Sequence, residues 1–129
     1  VSVCDPHARP IAALLSCVLA AVSLAPPAAA QDATAGQRVF TQCAACHSID
    51  GSTKTGPTLK GIIGRKAGAI AEFRYSRAMK RAAIVWDAAT LDAYLSHPQQ
   101  EIPGNTMPFA GIADAKQRAD LVAYLQTLQ

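Results

Sequence analysis

The stretch Phe40–Gly51, FTQCAACHSIDG, places Cys43 and Cys46 three positions apart, with His47 directly behind the second thiol. Three chemistries use that spacing: a dithiol redox pair, half of a zinc site, and the covalent attachment of a c-type heme. The rest of the chain discriminates among them.

Residues 1–30 are expected to be a secretory signal peptide, cleaved before Gln31. Arg9 precedes the apolar run IAALLSCVLAAVSLA, and the small-residue stretch PPAAA closes on an Ala-x-Ala site. That run falls short of the roughly 20 apolar residues a bilayer-spanning helix needs. Cleavage would remove Cys4 and Cys17, leaving Cys43 and Cys46 as the only cysteines of a single domain over residues 31–129. Domains this small bury a modest share of their surface and often add a metal, cofactor or disulfide set, and no second cysteine pair is present to supply disulfides. The net charge is +3, and its basic residues crowd between Lys54 and Arg81. Export and the lack of a groove-reading motif argue against nucleic acid as the partner, so the ordinary reading of this cluster is a solvated basic face.

The pattern along the domain is helical. Residues 33–46 read as a helix running into the cysteines, with Val39, Phe40 and Cys43 on one side. The connection SIDGSTKTGPTLKGIIGRKAGAI is too rich in glycine and proline for a regular element. Ser76 can cap a short helix to Ala82. Asp87 caps a longer one with Leu91, Tyr94 and Leu95 on one face, ending at Pro98. IPGNTMPFAGI is irregular, and Asp114 caps a terminal amphipathic helix carrying Leu121, Val122, Leu125 and Leu128. No strand alternation stands out. Seven aromatic side chains, Trp 1, Tyr 3 and Phe 3, are few for a protein-only core with so much irregular backbone, and a large flat apolar cofactor would fill that deficit.

A thioredoxin-like dithiol belongs to an alternating strand and helix pattern, which is missing. A closed zinc site wants four ligands, and His97 is the only further histidine of the domain. Heme attachment uses every residue of the motif: both thiols bond the vinyl groups, and His47 gives its imidazole to iron. For the opposite face a neutral thioether suits an electron carrier, because it favours ferrous iron and raises the potential. Met107, in the proline-bounded segment, is the expected ligand; Met79 in the short helix and His97 are the alternatives.

Taken in order, GQRVF, CAACH, TGPTLKGIIGRKAG, FRYSRAM, Trp86, LDAYLSHP, IPGNTMPFAGI and LVAYL resemble the class I cytochromes c, the group of mitochondrial cytochrome c and bacterial cytochrome c2. The likeness runs over residues 35–129. It implies an all-α fold, a small class I cytochrome c fold with helices wrapped around one heme c bound through Cys43 and Cys46. By the same resemblance Pro57 would orient His47 through its carbonyl, and Arg65, Tyr75 and Trp86 would bond or neutralise the heme propionates. Tyr94 would lie near the Met107 sulfur, Phe109 would cover the heme beside it, and Gly36 and Phe40 would meet the terminal helix around Tyr124. Asn105 stands where the mitochondrial form has a propionate-bonding threonine, so its amide is expected to make that contact. Thr106 replaces a lysine that serves the family as an alkaline replacement ligand.

The function implied is that of a soluble, periplasmic, monomeric monoheme carrier of single electrons, without a small-molecule substrate. Its partners would be redox proteins: a cytochrome bc1-type donor and an oxidase, reductase or reaction-centre acceptor. A peroxidase would need an open iron position, which Met107 opposes; a dedicated subunit of one dehydrogenase or oxidase is the other rival. Where mitochondrial relatives ring the heme edge with lysines, this sequence has Gln42, Gln99, Gln100 and Thr106 and retains Lys54. The docking face is therefore expected to be nearly neutral, built on Ala44, Ala45, Pro108, Phe109 and Ile112.

Overall fold

The computed structural model describes residues 30–129, so the proposed signal segment lies outside the described residues except for Ala30. Five helices follow in order: α1 (Ala33–Phe40), α2 (Arg77–Arg81), α3 (Ala88–Ser96), α4 (Pro98–Glu101) and α5 (Ala115–Gln126). Among the described residues the only β pairing outside named strands is an isolated antiparallel bridge between Lys66 and Val85, and no helix is long and apolar enough to cross a membrane.

Each major helix starts where a side chain satisfies its free amides. The Asp32 carboxylate accepts from the Thr34 and Ala35 amides, Asp87 and Thr90 cap α3 reciprocally, and Asp114 accepts from the Gln117 amide. The helix expected over residues 33–46 is shorter. Directly after Phe40 three successive amides reach back three residues instead of four, Thr41 to Arg38, Gln42 to Val39 and Cys43 to Phe40, before Ala44 returns to Phe40. This tightening ends the α-helix and continues the chain as a run of turns carrying the Cys-x-x-Cys-His motif. Pro98 was expected only to stop α3, yet it also opens α4 as its first residue. A proline fits there because its missing N–H would lie unpaired in any first turn.

The frame is the crossing of α1 and α5. A Cβ on Gly36 would fall 1.9 Å from the Asp120 carbonyl oxygen and 2.8 Å from the Tyr124 Cβ, so only glycine lets the two backbones approach. One α1 turn later Phe40 packs on Tyr124 with ring centroids 5.4 Å apart. Leu121, Val122 and Leu125 are buried from the α5 side, and Leu91, Tyr94 and Leu95 from α3. Arg118 fastens the two helices, its Nε donating to Asp92 at 2.8 Å and its terminal nitrogen to the carbonyls of Ile112 and Ala113.

Two long-range connections shape the loops around the site. The Trp86 amide donates to the Arg65 carbonyl and the Gly64 amide to the Trp86 carbonyl, which sets Arg65 beside Trp86. After Met107 the chain turns at Gly111, whose φ of +104° and approach to the Ser96 carbonyl both demand glycine. The Ile112 amide then bonds the Leu95 carbonyl. That return buries Ile112 at 6% exposure and removes it from the surface where it was expected.

Candidate heme site

One cavity of about 270 Å³ opens between these elements, and residues distant in sequence converge on it. Cys43, Cys46 and His47 enter from the turns after α1, Pro57 and Arg65 from the long connection, Tyr75 and Met79 from the start of α2, Trp86 and Tyr94 from around α3, and Met107 from the segment before α5. Its other walls include Leu59, Ile62, Leu91, Leu95, Leu121 and Leu125.

The motif residues stand ready for covalent and coordinate bonds. Both thiols are free and half-buried. Burial pushes the Cys43 thiol up, and its neighbour Cys46 adds to this. His47 Nδ1 lies 2.7 Å from the Pro57 carbonyl oxygen. A carbonyl only accepts, so Nδ1 carries the proton and the Nε2 lone pair is left free. Burial lowers the His47 pKa, with the Pro57 bond opposing, which favours the neutral ring a metal needs. Gly56 sits against the same imidazole. A Cβ there would meet Cε1 at 2.6 Å, Nδ1 at 2.9 Å and Nε2 at 3.0 Å. Sequence reading passed over Gly56, though its position directly before Pro57 was a signal.

The polar groups of the wall lack acidic or basic complements. Arg65 donates to the Thr58 carbonyl at 2.8 Å and to the Lys60 carbonyl. Among the described residues the ion pairs are Lys116–Asp120 and Arg118–Asp92, so the half-buried Arg65 guanidinium has no carboxylate. Burial lowers its pKa, as it would for a cation short of a counter-ion, with Tyr75 opposing. Tyr75 is half-buried, its pKa raised by burial. Trp86 and Tyr94 pack together with centroids 5.1 Å apart. The Tyr94 hydroxyl is buried without a hydrogen-bond partner, and burial pushes its pKa up to about 12. An orphaned hydroxyl in an apolar cavity marks a place where a further group belongs.

Asn105 departs from its expected role. It is buried at 6% exposure and is not part of the cavity wall. Its amide nitrogen donates to the Pro98 and Ile102 carbonyls at 2.8 and 3.0 Å, and its oxygen accepts from the Met107 amide at 3.0 Å. Both amide protons are thus committed, and none is left for a propionate. The side chain braces the Met107 segment instead. His97 is exposed and outside the cavity, beside Gln99, Gln100 and Phe109 in a small surface cleft. Met79 and Met107 both line the main cavity.

The residues present fit a heme: two thiols and a neutral imidazole on one side, thioethers within the same apolar space, and an uncompensated guanidinium for carboxylates. Among the described residues no cluster of three or more His, Cys, Asp or Glu offers a conventional metal site.

Comparison with known proteins agrees in extent and kind. The cytochrome c family model matches residues 33–129. Cytochrome c type-1 of Ascaris suum is 50% identical over 97 residues, covering 74% of this chain and 87% of that protein. Cytochrome c2 of Blastochloris viridis is 47% identical over 102 residues, covering 78% and 80% respectively. The solved structure of cytochrome cH from Methylobacterium extorquens superposes with a TM-score of 0.72 at 42% identity, covering 74% of this chain and 98% of that one.

Proposed function

Since this chain belongs to the cytochrome c family and binds heme c covalently through Cys43 and Cys46, we propose that it is an exported monomeric carrier with His47 and Met107 as axial ligands. It moves single electrons between respiratory or photosynthetic redox proteins, receiving them from a cytochrome bc1-type donor and passing them to an oxidase, reductase or reaction centre. The bound heme supplies reversible one-electron exchange at iron.

The observation that carries the reading is the convergence of Cys43, Cys46, His47 and Met107 on one apolar cavity. His47 offers Nε2 from a ring whose tautomer and tilt Pro57 holds, which makes it a better donor. Asn105 fixes the backbone at Met107 through the bond to its amide. Arg65, Tyr75 and Trp86, on the cavity wall, would hold the propionates, supplying the charge and hydrogen bonds without which buried carboxylates are costly. The leucines of α3 and α5 exclude water. With His47 and Met107 both bound, the heme iron would offer a substrate no open site, which supports a carrier role over an enzymatic one. The apolar run and small-residue site of residues 1–30 support export to the periplasm.

Methyl-labelled methionine in the ferrous holoprotein tests the axial assignment. One methionine methyl should be shifted strongly upfield by the heme ring current, and Met79→Leu should leave it in place. Its disappearance in Met79→Leu would transfer the ligand role to Met79.

A further inference from the structure

Two thioethers face one cavity where one suffices. Met79, the alternative ligand in the short helix, shares the cavity wall with His47 and Met107. Its helix is held at the Met107 end of the site. A Cβ on Gly104, within the segment that leads to Met107, would lie 3.5 Å from the Ala78 Cβ, so α2 packs on that turn. On its other flank the Met79 carbonyl and Lys80 backbone abut Gly68. Met79 therefore enters the cavity next to the segment that delivers Met107.

Resting on the reading of Met107 as the sixth ligand, we propose that Met79 is a reserve thioether ligand that takes the iron when Met107 leaves it. Chemistry singles it out. Once Cys43 and Cys46 are bonded to the heme and His47 holds the other face, Met79 is the only remaining soft neutral donor on the cavity wall. Position 106 is threonine, so no lysine adjoins Met107 to compete. The side chain can make the move while its helix stays in place. α2 has five residues and buries none of them, and a methionine side chain has three rotatable bonds and adapts to irregular space. Because a thioether would replace a thioether, the iron would stay six-coordinate and closed to small molecules.

The test compares the ferrous holoproteins of Met107→Ala and Met107→Leu with the double variant Met79→Leu/Met107→Ala. In the single variants the spectrum should remain low-spin, and the remaining labelled methionine methyl, that of Met79, should move to the strongly upfield position. Carbon monoxide should bind at least about tenfold more weakly than in the double variant, because it must displace a ligand. The double variant should be high-spin. Single variants that are high-spin and bind carbon monoxide as tightly as the double would overturn the proposal. So would their failure to hold a folded heme form while Met79→Leu alone does, since a reserve ligand must keep the protein closed. Loss of the shifted methyl in Met79→Leu alone would instead remove the Met107 assignment beneath it, a separate outcome.

Discussion

His47 shows how much of the site rests on groups with no ligand chemistry of their own. Its imidazole is clamped between the Pro57 carbonyl, 2.7 Å from Nδ1, and the bare Cα of Gly56. A methyl group at position 56 would overlap the ring at 2.6 Å, and the Gly56 backbone is held by its own amide bond to the Cys46 carbonyl at 2.8 Å. The ring would have to move, lengthening or bending the Pro57 bond that makes it a strong donor. Gly56→Ala is therefore expected to raise the reduction potential, because a weaker imidazole donor stabilises ferric iron less, and to weaken proximal ligation by roughly the 10- to 100-fold typical of lost outer-shell support. Voltammetry and the yield of heme-loaded protein measure both. An unchanged potential with full loading would show that the imidazole has slack. The motif residues were legible from the sequence because attachment chemistry fixes their spacing. Gly56 was not, because its role is an empty volume, and Asn105 was misjudged because its amide could face either the cavity or the backbone.

At the scale of elements, the start of α1 is tied to α5 by a hydrogen bond to a carboxylate that an ion pair within α5 holds in place. The Asp120 carboxylate accepts from the Asp32 amide at 2.8 Å across the chain ends, and from Lys116 on its own helix at 2.6 Å. Hydrogen bonds from Lys116 and then from Asp32 hold its pKa below the usual carboxylate value. The sign follows from linkage: a depressed folded-state pKa adds stability that is present above the unfolded value and is lost as pH falls through the folded one. Asp120→Asn should accordingly lower the melting temperature at neutral pH, and the gap to the parent should narrow as pH falls below the unfolded carboxylate value of about 3.9 toward the lower folded-state one. Thermal melts across that range decide it, and a gap constant with pH would mean that the amide bond alone matters. The capped starts of α2, α3 and α5 were readable, since Ser76, Asp87 and Asp114 each precede a periodic apolar pattern. The early end of α1 and the start of α4 were not, because tightening after Phe40 and tolerance of Pro98 depend on where neighbouring segments pack.

At the scale of the whole molecule, the exposed basic cluster and the cavity lie apart, with half-buried Arg65 the one basic residue of that cluster on the cavity wall. Gln42, Thr106 and Pro108 are exposed and also line the cavity, so they form its rim, and none is charged. Lys60, Lys66, Arg74, Arg77, Lys80 and Arg81 are all exposed, and none belongs to the cavity wall. Lys54, the one basic residue expected near the rim, donates to the Ala44 carbonyl at 2.9 Å, which holds its ammonium there with the charge intact. With Ile112 buried, the rim expected to dock is smaller than the sequence suggested, and Lys54 is its one exposed cation among these residues. Charge steering operates over the Debye length, about 30 Å at 0.01 M salt and about 8 Å at 0.15 M. A steered encounter therefore slows steeply over that range, whereas a nearly neutral rim has little steering to lose. Electron transfer to the natural acceptor is expected to change less than about threefold between those ionic strengths. Placing charge on the rim, by Gln42→Glu with Thr106→Glu, should slow it more than reversing Arg77 and Arg81 to glutamate. Stopped-flow rates over a salt series measure both effects. A collapse of the rate at physiological salt, or a larger loss from the arginine reversals, would make the basic segment between Lys60 and Arg81 the docking face.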